Sequence, residues 1–140
     1  MPDTPGQPKP RSRVSLAAIL AVVIAMGLGS RKFGDSLPAF IADNAGDALW
    51  TVAAFVALAL VFPGWSSVRL GVIAFSISIG VEFSQLIDTP VLNSIRANRI
   101  GRLFLGSGFV WLDLIRYTAG AVLAAVVDRA CSQTRTPGQE

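Results

Sequence analysis

Residues 68–87 read VRLGVIAFSISIGVEFSQLI, and how this stretch is read decides the fold. Its length is that of a helix crossing a bilayer, which takes roughly 20 predominantly apolar residues. Arg69 stands at its start, and one carboxylate, Glu82, lies deep in its second half. An ionisable group at such a depth costs about 2.5–3.5 kcal/mol on insertion scales, so it needs partners. Gln85, at i+3, shares the helical face of Glu82, and Ser78 extends that face by one turn.

The rest of the chain agrees with a membrane reading. Of 140 residues, 52% are apolar and 15% charged, against about 25% charged in an average globular domain. Mean hydropathy is +0.56. The net charge of +3 is that of loop lysines and arginines, and no basic-aromatic recognition motif points to nucleic acid. Cys131 is the only cysteine, so neither a disulfide framework nor a paired-cysteine metal motif is present. The chain has no histidine. Ser-His-Asp catalysis, His-ligated zinc and imidazole acid-base chemistry are thereby excluded. No cofactor or metal site is expected.

Four apolar blocks lie between polar ends: Val14–Gly29, about Gly46–Phe62, Val68–Ile87 and about Gly108–Val127. They predict an all-α integral membrane bundle of four transmembrane helices over residues 14–128. Residues 1–13, with four of the eight prolines and three basic residues, read as a disordered tail. Residues 129–140 form a polar C-terminal tail. A basic start followed by an apolar block also describes a signal peptide, but no A-x-A site follows Gly29. The uncleaved first helix is therefore preferred.

Lys9, Arg11, Arg13, Arg69, Arg129 and Arg135 share one side, and Arg31, Lys32, Arg96, Arg99 and Arg102 the other. The dense N-terminal cluster and the short Pro63–Val68 turn place both termini in the cytoplasm. In the third connection, Arg96, Arg99 and Arg102 recur every three residues, one stripe of a helix. An interfacial or re-entrant amphipathic segment is predicted before the last helix. A charged loop touching lipid phosphates is the plainer reading.

Polar groups converge at one face. Glu82 lies six residues before Asp88 and Asp113 six after Ser107, so each sits about 9 Å below the same surface. Asp113, Tyr117 and Gly120 form a row on block four, with Arg116 beside Asp113, and Asp47 and Arg31 belong to the first connection on that side. The candidate binding set is Asp47, Glu82, Gln85, Arg96, Arg99, Asp113 and Tyr117. Were the site catalytic, Glu82 is the candidate general base and Asp113 the second carboxylate. Arginine forks match a phosphate or carboxylate. The partners expected are membrane lipids, an anionic lipid head group or a lipid-linked envelope molecule among them. Pairing with a second copy is kept open. Two other functions compete: a structural or assembly role in which the polar groups only hold helices together, and a small proton-coupled transporter subunit in which Glu82 carries the proton. Trp50, Trp65 and Trp111 lie near block ends and read as interface anchors.

The motifs resemble known families. Glu82-x-x-Gln85, an arginine at 96 or 99, and Asp113-Leu-x-x-Tyr117-x-x-Gly120 are similar to the pattern of VanZ-like membrane proteins. Those carry E-x-x-Q, an arginine, and D-[IL]-x-x-N-x-x-G. Gly27-Leu-Gly-Ser-Arg31, Leu37-Pro-Ala-Phe40, Gly46-Asp-Ala-Leu-Trp50, Pro90-x-Leu92, Arg96-x-x-Arg99 and Leu105-Gly-x-Gly-Phe109 resemble a related bacterial membrane family, domain of unknown function 2809. Tyr117 stands where VanZ-like proteins carry Asn and is the residue expected of the second family; Ala124 occupies a position often held by Gly. The resemblance implies a bacterial inner-membrane protein of about four helices and hints at cell-envelope biology. It supplies no reaction.

Overall fold

The computed structural model describes residues 11–106 and 108–134, and among these all regular structure is helical. The expected tails fall largely outside the described residues. The exceptions are Arg11, Ser12 and the already helical Arg13 at one end, and at the other a last helix that runs on to Thr134, past the expected boundary at Asp128.

Helix α1, Arg13–Lys32, starts at Ser12, whose side chain accepts the Ser15 N–H, and ends with Arg31 and Lys32 beside its exposed carbonyls. A 3₁₀ turn, Gly34–Ser36, leads to α2, Ala39–Val61. This helix begins seven residues before the apolar block that announced it. Pro38 sits at its N-cap, where a missing N–H costs nothing. The polar residues of its first turns, Asn44 and Asp47, find partners within the bundle. A polar stretch is thus helical because its side chains are satisfied.

Helix α3, Ser67–Ser84, is capped by Ser66 and ends three residues before Ile87. There the N–H groups of Gln85, Leu86 and Ile87 turn back to carbonyls three residues earlier, the tightening common at helix ends. The third connection forms two short helices, α4 (Pro90–Ala97) and α5 (Arg99–Leu105). Asn98 separates them. Its backbone is extended and its side chain caps α5 by accepting the Gly101 N–H at 2.7 Å. Arg96, Arg99 and Arg102 therefore do not form one stripe, because the helix that would carry it is interrupted between the first and second of them. Helix α6, Trp111–Thr134, completes the bundle.

Helix α2 is central: α1, α3 and α6 all pack on it, and α3 also packs on α6. The core is Leu16, Phe55, Val56, Ala59, Leu70, Ala74 and Ala124. Two glycines set the approach of α6. Gly120 faces the Ala48 carbonyl and Thr51 on α2, and Gly71 on α3 faces Ala121 and Ala125. Small residues at such crossings let backbones come close. Thr51 and Ser78 share a 2.9 Å hydrogen bond inside the bundle, tying α2 to α3.

Helices α1, α2 and α3 are long and apolar enough to cross a membrane, with mean hydropathies of 2.0, 1.6 and 1.4. Their outward faces are apolar and exposed, as at Val22, Val61 and Val72. Helix α6 has the length, 24 residues, but carries Asp113, Arg116, Asp128 and Arg129. By composition, three of the four expected spans stand out.

The helices alternate in direction. One end gathers the C-termini of α1 and α3, the N-termini of α2 and α6, and all of α4 and α5. At the opposite end Arg11 donates to Asp128 of α6 at 2.8 and 2.5 Å, and to the Pro63 and Trp65 carbonyls at 2.7 Å each. Ser67 adds a 2.5 Å bond to Asp128. This clasp joins the start of α1, the α2–α3 turn and α6. Trp65 at this end stacks on Phe62 at 4.0 Å and takes the Arg69 guanidinium on its ring at 4.1 Å.

Candidate functional site

Glu82 is fully buried. Its Oε1 accepts the Val110 N–H at 2.7 Å; its Oε2 accepts the Tyr117 hydroxyl at 2.9 Å and the Gln85 amide at 3.0 Å. All three donors are neutral. Of the arginine, hydroxyl and amide partners open to a carboxylate at this depth, a hydroxyl and an amide reach Glu82 and, among the described residues, no arginine does. Gln85 in turn accepts the Gly108 N–H at 2.7 Å. Glu82 and Gln85 thus hold alternate backbone N–H groups of the segment that enters α6, donors that the helix itself cannot satisfy. Gly106, with φ +68°, opens that segment, and a side chain there would run into the Gln85 amide. Phe109 fixes the same segment between Phe83 and Trp111, with ring centroids 5.7 and 4.9 Å away.

The guanidiniums serve two other carboxylates. Arg116 donates to Asp113 on its own helix, to Asp47 at 3.3 Å and to Asn44 at 2.8 Å. Asn44–Asp47 on α2 and Asp113–Arg116 on α6 are both i, i+3 pairs, and they meet because Gly120 allows the helices to close. Arg31, at the end of α1, reaches Asp47 at 3.4 Å with a side chain that remains 48% exposed. Arg116 lay in view as a neighbour of Asp113, but nothing in the spacing showed that it, rather than a loop arginine, neutralises the pair. Asn44 carried no signal beyond its place one turn before Asp47.

Arg96 does something else. It donates to the Ser84 carbonyl at 2.6 Å and the Ile87 carbonyl at 3.2 Å, which places a cation on the C-terminus of α3. Arg99 is exposed on the first turn of α5. Neither lines the cavity at this end.

That cavity is a chamber of about 380 Å³, a size suited to a small ligand. Asp47, Gln85, Asp113 and Tyr117 line it, together with Arg31, Asp43, Trp50 and Arg102, which the binding set had left out. Glu82 lies behind the wall. Trp50 is a chamber wall in edge contact with Phe104 at 5.6 Å. Arg102 is exposed and reaches the Arg96 carbonyl only at 3.5 Å. Chemically, the chamber offers guanidinium donors at Arg31 and Arg102 beside the carboxylates of Asp43, Asp47 and Asp113.

Fold and site together define a class: an all-helical protein with apolar helices compatible with a multi-pass membrane protein, and a polar chamber at one end of its bundle. A family model described as a protein of unknown function, DUF2809, matches residues 36–121. That is more than half of the chain, and the chain belongs to this family. The matched segment contains every chamber residue named above except Arg31. No solved structure matches the chain.

Proposed function

We propose that the protein is a bacterial inner-membrane protein that binds an anionic head group, of a lipid or a lipid-linked envelope molecule, in the chamber. In this reading α6 crosses the bilayer with α1, α2 and α3, its charged groups satisfied inside the bundle or at its ends. Helices α4 and α5 lie at the membrane face, and both termini are cytoplasmic, so the chamber faces outward. The likeness to VanZ-like proteins supports an envelope role.

The observation that carries the proposal is the state of the two chamber arginines. Arg116 is consumed by Asp113, Asp47 and Asn44, whereas Arg31 makes one contact at 3.4 Å and Arg102 one at 3.5 Å. Their remaining donors suit a phosphate or carboxylate. The nearby carboxylates suit the hydroxyls of a glycerol or sugar.

A structural role is favoured for Glu82, which holds Tyr117 of α6, the Val110 N–H before it and Gln85 at the end of its own helix. It leaves the open donors of Arg31 and Arg102 unaccounted for. The transporter reading has less support. Below Thr51 and Ser78 lie Phe55, Val56, Leu70 and Ala74, which offer a proton or ion no polar relay.

The test is mass spectrometry of envelope lipids and lipid-linked precursors. It compares a deletion strain with strains complemented by wild type or by Arg31→Gln/Arg102→Gln at equal membrane abundance. A species that changes on deletion and is restored only by wild type supports the proposal. An unchanged profile under envelope stress, or full restoration by the double variant, counts against it.

A further inference from the structure

Two apolar grooves lie on the bundle surface. One, of about 270 Å³, runs between α1 and α2 beneath α5; the other, of about 290 Å³, lies between α3 and α6. They are nearly equal in size and both almost wholly apolar. They differ in what they lead to. Arg31, Gly46, Trp50, Leu103 and Phe104 line both the α1–α2 groove and the polar chamber, so the two adjoin at these residues. The α3–α6 groove shares no lining residue with the chamber.

The α1–α2 groove reaches from Arg31 to Leu20 on one helix and from Gly46 to Ala57 on the other, a length of about 16 Å at 1.5 Å per residue. Its trough exists because Gly27, Ala53 and Ala57 present little or no side chain where α1 and α2 run side by side. Arg31 stands at the junction of polar and apolar space, and the Trp50–Phe104 pair closes round the same level.

We infer that the occupant is a phosphate-bearing lipid, with its phosphate on Arg31 and Arg102 and one hydrocarbon chain laid in the α1–α2 groove. This rests on reading the chamber as a head-group site and adds the placement of the chain. A free anion leaves the adjoining groove empty, and an uncharged lipid leaves the arginines unmatched. A chain gains no hydrophobic free energy by moving from bilayer to groove, since lipid tails are as apolar as the groove wall. The phosphate therefore sets the preference and the groove sets the position, so the test must read position.

The probe is phosphatidic acid carrying a diazirine midway along one chain, in phosphatidylcholine nanodiscs holding the full-length protein. After irradiation, adducts are mapped by peptide mass spectrometry. Labelling of the α1–α2 groove is expected to exceed that of the α3–α6 groove by about tenfold, as for about 1.4 kcal/mol of preference. The excess should vanish in Arg31→Gln. It should fall with unlabelled phosphatidic acid and persist with added phosphatidylcholine or glycerol 3-phosphate. Ala57→Phe, which fills the far end of the trough, should remove the excess while phosphatidic acid is still retained; Ala53→Leu serves the same purpose should that variant not fold. Equal labelling of both grooves with phosphatidic acid retained overturns the chain placement and leaves the head-group reading standing. Displacement by glycerol 3-phosphate as effective as by phosphatidic acid also overturns it. Failure of the wild type to retain phosphatidic acid over phosphatidylcholine overturns both.

Discussion

The Tyr117 hydroxyl lies 2.9 Å from Glu82 Oε2 and joins α6 to α3 at a carboxylate with no solvent exposure. Tyr117→Phe removes one of three donors and should cost about 1–2 kcal/mol. Glu82→Gln should cost more, up to about 3 kcal/mol. Its carboxamide has one acceptor oxygen for three donors, and turning the Gln85 amide to compensate forfeits the bond to Gly108. Thermal unfolding in an uncharged detergent checks both. If Glu82→Gln melts as wild type yet loses head-group binding, Glu82 acts on the ligand and its positioning role is wrong.

Gly106 occupies a backbone region, φ +68° with ψ −175°, that is open in practice only to glycine. Gly106→Ala should cost about 1–3 kcal/mol and push a methyl group against Gln85. The expected signature is local: faster amide exchange at Gly108 and Val110, the two N–H groups held by Gln85 and Glu82. Unchanged exchange at both would show that the clamp does not depend on this turn.

Arg96 and Arg102 should separate stability from binding. Arg96→Gln loses bonds to the last carbonyl of α3, Ser84, and to that of Ile87 in the turn after it, and should lower the melting temperature, for a loss of about 1–3 kcal/mol, while phosphatidic acid binding is unchanged. Arg102→Gln removes an exposed side chain with one long contact, so melting should hold and binding should fall. The opposite assignment would return the site to the arginine that the sequence favoured.

At the far end, Arg11→Gln removes the guanidinium from Asp128, where the two side chains are 8% and 13% exposed. Breaking a buried pair on one side costs on the order of 3 kcal/mol. The variant should unfold at markedly lower temperature and, while folded, bind phosphatidic acid as wild type does. A binding defect in the folded variant would mean that the two ends of the bundle are coupled.

The all-helical class, three of the apolar helices and the common level of the polar groups were legible because hydropathy and depth are additive along a chain. Glu82, Asp113 and Asp47 were placed at one level by counting residues from the ends of apolar blocks, and the chamber lies at that level. What counting cannot supply is pairing. Whether Arg116, Arg31 or a loop arginine meets a given carboxylate depends on helix rotation and approach, which Gly120 and Gly71 set through packing. The Arg96–Arg99–Arg102 stripe misled for a local reason. A period of three reads as one helical face only if the helix is unbroken, and Asn98 caps a new helix between them. The Arg11–Asp128 clasp was hidden because its partners are 117 residues apart and one of them stood in a proline-rich stretch.

The most direct measurement of the central claim is retention of phosphatidic acid over phosphatidylcholine by purified protein, read by native mass spectrometry from an uncharged detergent. Wild type is compared with Arg31→Gln/Arg102→Gln. Wild type should favour phosphatidic acid, and the double variant should lose about tenfold of that preference, about 1.4 kcal/mol, with an unchanged melting temperature. Equal retention by the two proteins would contradict the chamber as an anionic head-group site.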